Sequence, residues 1–380
     1  MVAPTAFRPS IRRAILTGML WLPAARPLAA QEPAPSPTPE LRKLDVNAFV
    51  DTYFAYNGNR PADHTNFFRG VGTSAKRHDE ASINLAQLDV ALPASPVGFH
   101  LAVGFGTTTE VVHEGEPAGP LVGPAVWEHV VQASVLYKAT PRLVFEGGVY
   151  PSHIGFETLA TKDNWNYTRS WMGELTPYYQ TGLKATYTFN VTWSAQIHVL
   201  NGWQNIGDNN DGKAVGTQVA YSKGKLSASF NTFVGPELPN DDHDYRVLGD
   251  LVLTYRATPD WSLGGSLDLA REGRPQGPDA RWSGGALYLR WARPQSRAAL
   301  AVRGEYYHDR DGAISGTPQT LKEVTATLEH RPAPPLILRL EGRYDRSSAN
   351  VFAGDRVGGD GQPFRKRSQL MLLLGAVASF

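Results

Sequence analysis

Apolar and polar residues alternate with a period of two, in segment after segment, from Leu44 to Phe380. Successive side chains of a strand point to opposite faces, so each such segment makes a strand with one apolar and one polar face. In Leu44–Tyr56 the even positions carry Leu44, Val46, Ala48, Val50, Phe54 and Tyr56, with Asp45, Asn47 and Asp51 between them. Near the other end Leu336, Leu338, Leu340 and Tyr344 alternate with Arg339, Glu341 and Arg343. About 16 segments read this way, most of them about 9–13 residues long, enough for a tilted strand to cross a bilayer. The third is expected over 98–109 and the fourth over 127–138.

The connections alternate strictly between short and long. Short ones include 92–97, 189–192 and 256–260; long ones include 57–81, 150–180 and 345–367. That asymmetry predicts an all-β, transmembrane, up-and-down antiparallel barrel of about 16 strands, with short periplasmic turns and long external loops. Both termini then lie in the periplasm. A spanning sheet has to close, because unpaired backbone amides are not tolerated in lipid. Tyr137, Tyr187, Phe189, Tyr221, Tyr255 and Trp291 stand at the short-turn ends, and Trp127, Trp203 and Trp282 near the long loops. They are expected to form two aromatic girdles at the membrane interfaces.

Residues 1–30 have the layout of a signal peptide: Arg8, Arg12 and Arg13, a short apolar stretch Ala14–Leu22, then small residues to Ala30. Residues 31–43 form a Pro-rich periplasmic tether, and 44–380 the outer-membrane barrel. Residues 1–30 hold four arginines and no acid, so their loss takes the formal charge from +1 to −3 and argues against a nucleic-acid partner. There is no cysteine, which excludes disulfides and thiol chemistry. The last strand alternates Leu370, Leu372, Leu374, Ala376 and Ala378, and ends on Phe380, resembling the signal by which outer-membrane proteins engage the barrel-assembly machinery.

A barrel of this size has a lumen too wide for wall side chains to fill. The candidate lumen wall includes Arg290, Arg303, Glu305, Arg339, Glu341 and Arg343, either as selectivity groups or as struts stiffening the wall. The long third loop, 150–180, is rich in aromatics and is expected to fold inward and narrow the pore, with Lys162, Asp163, Asn164, Trp165, Arg169 and Glu174 as constriction candidates.

HIGFETLATKDNWNYTRS (His153–Ser170), TPYYQTGLKATY (Thr176–Tyr187), NGWQNIGDNNDGKAVGTQ (Asn201–Gln218) and the opening AFVDTYFAYNGNRP (Ala48–Pro61) resemble the OmpL-like family of outer-membrane β-barrel porins, in the same order over most of the chain. The resemblance implies a porin-type barrel and leaves the solute open.

The expected function is passive diffusion of small polar solutes or ions through a water-filled lumen, in contact with outer-membrane lipid. The alternatives are a non-conducting barrel with a structural or adhesive role and, less favoured, a barrel hydrolase. Ser152 beside His153, and His308 beside Asp309, are sequence neighbours that point apart in a strand and make no dyad. Gly207–Lys213 has phosphate-loop spacing but Ala214 follows where a hydroxyl is needed. No cofactor or metal is expected; the loop acids Asp208, Asp211, Asp241 and Asp242 leave weak calcium binding open. Porins of this size are often oligomers, but nothing marks an interface.

Overall fold

The computed structural model describes residues 42–116 and 127–380. The expected signal segment and residues 31–41 of the tether lie outside the described residues. The strands in chain order are β1 (Asp45–Asn57), β2 (Ala81–Leu92), β3 (Val97–Phe105), β4 (Val130–Lys138), β5 (Leu143–Pro151), β6 (Tyr179–Thr188), β7 (Trp193–Leu200), β8 (Ala214–Lys223), β9 (Leu226–Pro236), β10 (Tyr245–Arg256), β11 (Trp261–Glu272), β12 (Ala280–Trp291), β13 (Ala298–Asp309), β14 (Gln319–Ala333), β15 (Leu336–Ser347), β16 (Phe352–Val357), β17 (Pro363–Lys366) and β18 (Ser368–Ser379). Among the described residues sixteen of these close into one antiparallel barrel, and β16 and β17 pair only with each other.

Closure runs through β1 and β18, in register from Phe49 opposite Ser379 to Asn57 opposite Met371. Phe380 completes the seam: its N–H donates to Ala48 O (2.8 Å), and Ala48 N–H donates to Phe380 O (3.1 Å). Among the described residues the barrel has no open strand edge, which is the condition for a sheet in hydrocarbon.

The two faces are inverted relative to a water-soluble sheet. From Glu323 to Glu329 on β14 the buried residues are Glu323, Thr325, Thr327 and Glu329, whereas Val324 and Leu328 are exposed. On β18 Leu370, Leu372 and Leu374 stand outside. Each such side chain would forgo about 1.5–3 kcal/mol if left in water. A continuous belt of them needs lipid around it. No helix among the described residues is long and apolar enough to span a membrane.

Some expectations are corrected. The third strand stops at Phe105, because Gly106 (φ 133°) turns the chain into a short helix, α1 (Thr107–Val112). The fourth strand starts at Val130 instead of 127. Tyr137, Tyr187, Phe189 and Tyr255 are exposed at the short-turn end as a girdle requires, but Trp203 and Trp282 are buried inside the barrel. Trp282 shares the inward parity of Tyr288, and Trp203 leaves the strand and packs edge-on against Phe233. The outward aromatics at the long-loop end are Tyr56, Phe105, Tyr245, Tyr306 and Tyr344.

Candidate pore constriction

The third long loop lies against inward-facing wall residues through most of the barrel's height. At its deepest, Ala160 packs beside Phe49 and Ile337, and Lys162 Nζ lies 5.4 Å from the Phe49 ring. Phe49 is eight residues along β1 from Asn57 at the rim, roughly 27 Å at about 3.4 Å per residue.

Charged wall residues seat it. Glu341 accepts Tyr167 N–H (2.6 Å) and Thr168 N–H (2.9 Å). Glu305 accepts Trp171 N–H and Met172 N–H, both at 2.6 Å. These are first-turn amides of the short helix α2 (Trp171–Leu175), which have no intrahelical partner; Ser170 caps the next one, Gly173 N–H, at 2.9 Å. Arg339 donates to Thr161 O (2.6 Å) and Asn164 O (2.8 Å) while paired with Glu329 (2.7 Å). Arg303 donates to Thr168 O (2.7 Å) and is paired with both Glu323 (2.8 Å) and the loop's own Glu157 (2.7 Å). Arg343 donates to Arg169 O and pairs with Asp345, which also takes Trp171 Nε1–H (2.9 Å). On β1, two strands from β15 around the wall, Asp51 accepts Tyr167 Oη–H and Thr161 Oγ1–H, both at 2.7 Å.

The predicted residues therefore divide. Arg303, Glu305, Arg339, Glu341 and Arg343 are buried between wall and loop. Asn164, Arg169 and Glu174 are buried within the loop's packing, and Trp165 is half-buried against Phe156 and Tyr288. Lys162 and Asp163 form an ion pair (2.8 Å) and keep contact with solvent, as does Arg290.

Sequence reasoning missed three contributors. The first is loop 58–80, which also inserts: Phe68 stacks on Trp171 (5.0 Å), and Glu174 accepts Gly72 N–H (2.7 Å) and Thr73 N–H (3.0 Å). The second is an apolar core inside the barrel, where Trp171, Met172, Trp282, Tyr288, Tyr307 and Phe352 come together. A wholly polar lumen is thus corrected: the apolar patch sits where loop 58–80, the third loop and the last long loop meet the β12–β14 wall and Met371 of β18. The third is a set of inward glycines. A Cβ on Gly264 would lie 2.7 Å from the Phe156 ring, on Gly284 2.7 Å from Met172, on Gly375 2.5 Å from Tyr167, and on Gly216 2.6 Å from His153. The wall is thinned where the loop's large side chains sit against it.

The opposite side is hollow. A cavity of about 310 Å³ runs between the loop and β2–β5, from Gln87 and Asp89 to His113 and Tyr179. A second, of about 460 Å³, is lined by loop residues including Arg69, Glu174 and Trp203, and shares Val112 and Tyr178 with the first. Tyr178 donates to Glu174 (2.8 Å), and burial, then the neighbouring carboxylate, hold its phenol well above its ordinary value. Burial pulls His113 down to about 4, so it is neutral near pH 7.

His153 bonds Gln180 and Thr232 O instead of Ser152, and His308 bonds Thr320 instead of Asp309. Among the described residues no three acids, histidines or cysteines gather as a metal site. Asp242 instead accepts Asp211 and Gly212 N–H, and Asp208 pairs with Lys213.

With this geometry the family match is decisive: residues 43–380 match the model described as Putative beta-barrel porin-2, OmpL-like. The chain belongs to this family. Solved barrels agree with the OmpL-like assignment at the level of fold. The anion-selective porin from Comamonas acidovorans is 15% identical with a TM-score of 0.59, over 89% of this chain and 99% of that one. OprB of Pseudomonas putida is 12% identical with a TM-score of 0.57, over 89% and 94%. OmpT of Vibrio cholerae in its trimer form is 11% identical with a TM-score of 0.57, over 89% and 99%. No curated protein sequence matches the chain. The OmpL-like family and the sixteen-stranded fold make this an outer-membrane porin-type barrel.

Proposed function

We propose that this barrel is a diffusion porin, and that small polar solutes cross it along the β2–β5 side, past the seated third loop. The observation that carries the reading is the hollow beside that loop, continued towards the rim by a second one sharing Val112 and Tyr178. Asp163 and Arg169 then line the passage, and Lys162 lies beside it through its ion pair with Asp163. The buried wall candidates Arg303, Glu305, Arg339, Glu341 and Arg343 act by holding the loop that defines its width. Purified protein in planar bilayers is expected to give stepwise, ohmic conductance, and liposomes containing it are expected to swell in small neutral solutes. Folded protein giving neither result would overturn the reading in favour of a non-conducting barrel, which the aromatic core inside the lumen favours.

On this reading the termini are periplasmic and the β18 seam, ending on Phe380, is what the assembly machinery receives. Removing Phe380 should lower the yield of heat-modifiable barrel in outer membranes. An unchanged yield would mean that the seam assembles without its terminal aromatic. A symmetric oligomer fits the trimer form of the Vibrio cholerae relative.

A further inference from the structure

The charged residues lining the 310 Å³ hollow are Asp89, Glu157, Asp163 and Arg169. The three acids already have basic partners: Asp89 has His100 (2.8 Å), Glu157 has Arg303 (2.7 Å) and Asp163 has Lys162 (2.8 Å). Glu157's other oxygen takes Ser170 N–H (2.8 Å) and Oγ–H (2.7 Å). Arg169 has no such partner. Its Nη2 donates to Gly173 O (2.7 Å) and its plane lies over the Tyr178 ring (4.3 Å). Its Nε and Nη1 have no hydrogen-bond partner among the described residues, although Arg169 is only 3% exposed.

A buried guanidinium with two idle nitrogens is a large uncompensated term. The neighbouring arginines show the alternative, since Arg303, Arg339 and Arg343 are each matched by a carboxylate. A second idle group borders the same hollow: buried His113, whose Nδ1 has no partner. The rest of the lining is partly aliphatic, with Val112, Val130, Ile154 and Leu159. A guanidinium at one place and hydrocarbon around it suit an anion with an apolar stem better than a bare inorganic ion.

We propose that this hollow is a binding site for small organic carboxylates, which pair with Arg169 as they cross. The proposal rests on the porin reading and names its solute class. Arg169 would be the charged group that solute meets, whereas the other loop-side arginines are already engaged.

The test uses full-length protein in nanodiscs, with sodium butyrate and sodium phosphate as separate probes observed by ligand NMR, and planar bilayers in parallel. Butyrate should bind the wild type, and R169Q should weaken it about tenfold or more. R169Q should also move the reversal potential in a salt gradient towards cation preference. R169K, which keeps the charge, should leave the reversal potential at its wild-type value while weakening butyrate, and it carries the test if R169Q does not fold. Butyrate binding unchanged in R169Q and R169K overturns the site. Phosphate binding as tightly as butyrate overturns the carboxylate assignment. Arg169-dependent butyrate binding in a barrel that never conducts would sink the porin reading while leaving the site intact. Conductance without such binding does the reverse.

Discussion

Replacing Arg303 with alanine is expected to destabilise the folded barrel by about 3–5 kcal/mol, the range for leaving a buried ionic partner uncompensated. Arg303 is fully buried and holds Glu323 on the neighbouring strand at 2.8 Å and Glu157 on the loop at 2.7 Å. Both carboxylates are themselves buried, so both are left without their cation. Thr168 O loses its donor as well. A whole domain is stable by only about 5–15 kcal/mol, so the loss should be plain in urea or heat-modifiability titrations. The barrel strands remain paired through their backbones, and the loop is the part expected to come free. Substituting Arg303→Met, Glu157→Gln and Glu323→Gln together should recover much of the loss, because the buried charges leave as a set. Were Arg303 a water-facing selectivity group, alanine would shift the reversal potential and leave the unfolding midpoint alone. That result would refute the structural role.

The contrast shows what was legible before the fold was known. Period-two alternation separates the faces of a strand, and lipid outside the barrel makes the outward face apolar. Strand number and up-and-down order follow from that and from loop lengths. Parity placed Arg303, Arg339 and Arg343 inward, which the structure shows, but parity is silent on what lies across from an inward side chain. Arg303 meets Thr168, 135 residues away in the chain, and Tyr167 meets Asp51 at a separation of 116. Contacts of that range leave no local pattern.

Other features were hidden for different reasons. Trp203 and Trp282 sit at strand ends where girdle tryptophans belong, and position along the chain outweighed the parity that turns Trp282 inward. Loop 58–80 has the composition of an external loop; it inserts because Phe67, Phe68 and Val71 find Trp171 inside. The hairpin β16–β17 lies in the last long loop, where short irregular pairing has little alternation to detect. Arg169 was legible as a residue of the third loop. Its idle nitrogens were not, because an unpaired donor is defined by everything around it.

The seated loop also has a mechanical weakness. Gly264 and Gly375 leave room for Phe156 and Tyr167, and a Cβ alone would already intrude at 2.7 Å and 2.5 Å. In Gly264→Leu/Gly375→Leu each side chain wedges under the loop, and each overpacked site carries about 1–3 kcal/mol of strain. The wall relieves that strain only by deforming its hydrogen-bonded ladder, whereas the loop relieves it by lifting. Per wedge, the seated-to-lifted ratio should therefore fall by about five- to 150-fold, at 1.4 kcal/mol per decade. A lifted loop uncovers the part of the lumen that the loop now occupies. Single-channel records should show a second, larger conductance level whose occupancy rises from Gly264→Leu or Gly375→Leu alone to the double variant. The outward glycines Gly304 and Gly342 have no atom within reach of a Cβ, so leucine there tests side-chain size without a wedge and should leave the records unchanged. A double variant that conducts at the wild-type level, with its loop still protected from protease, would show that the wall yields first and that these glycines are not what admits the loop.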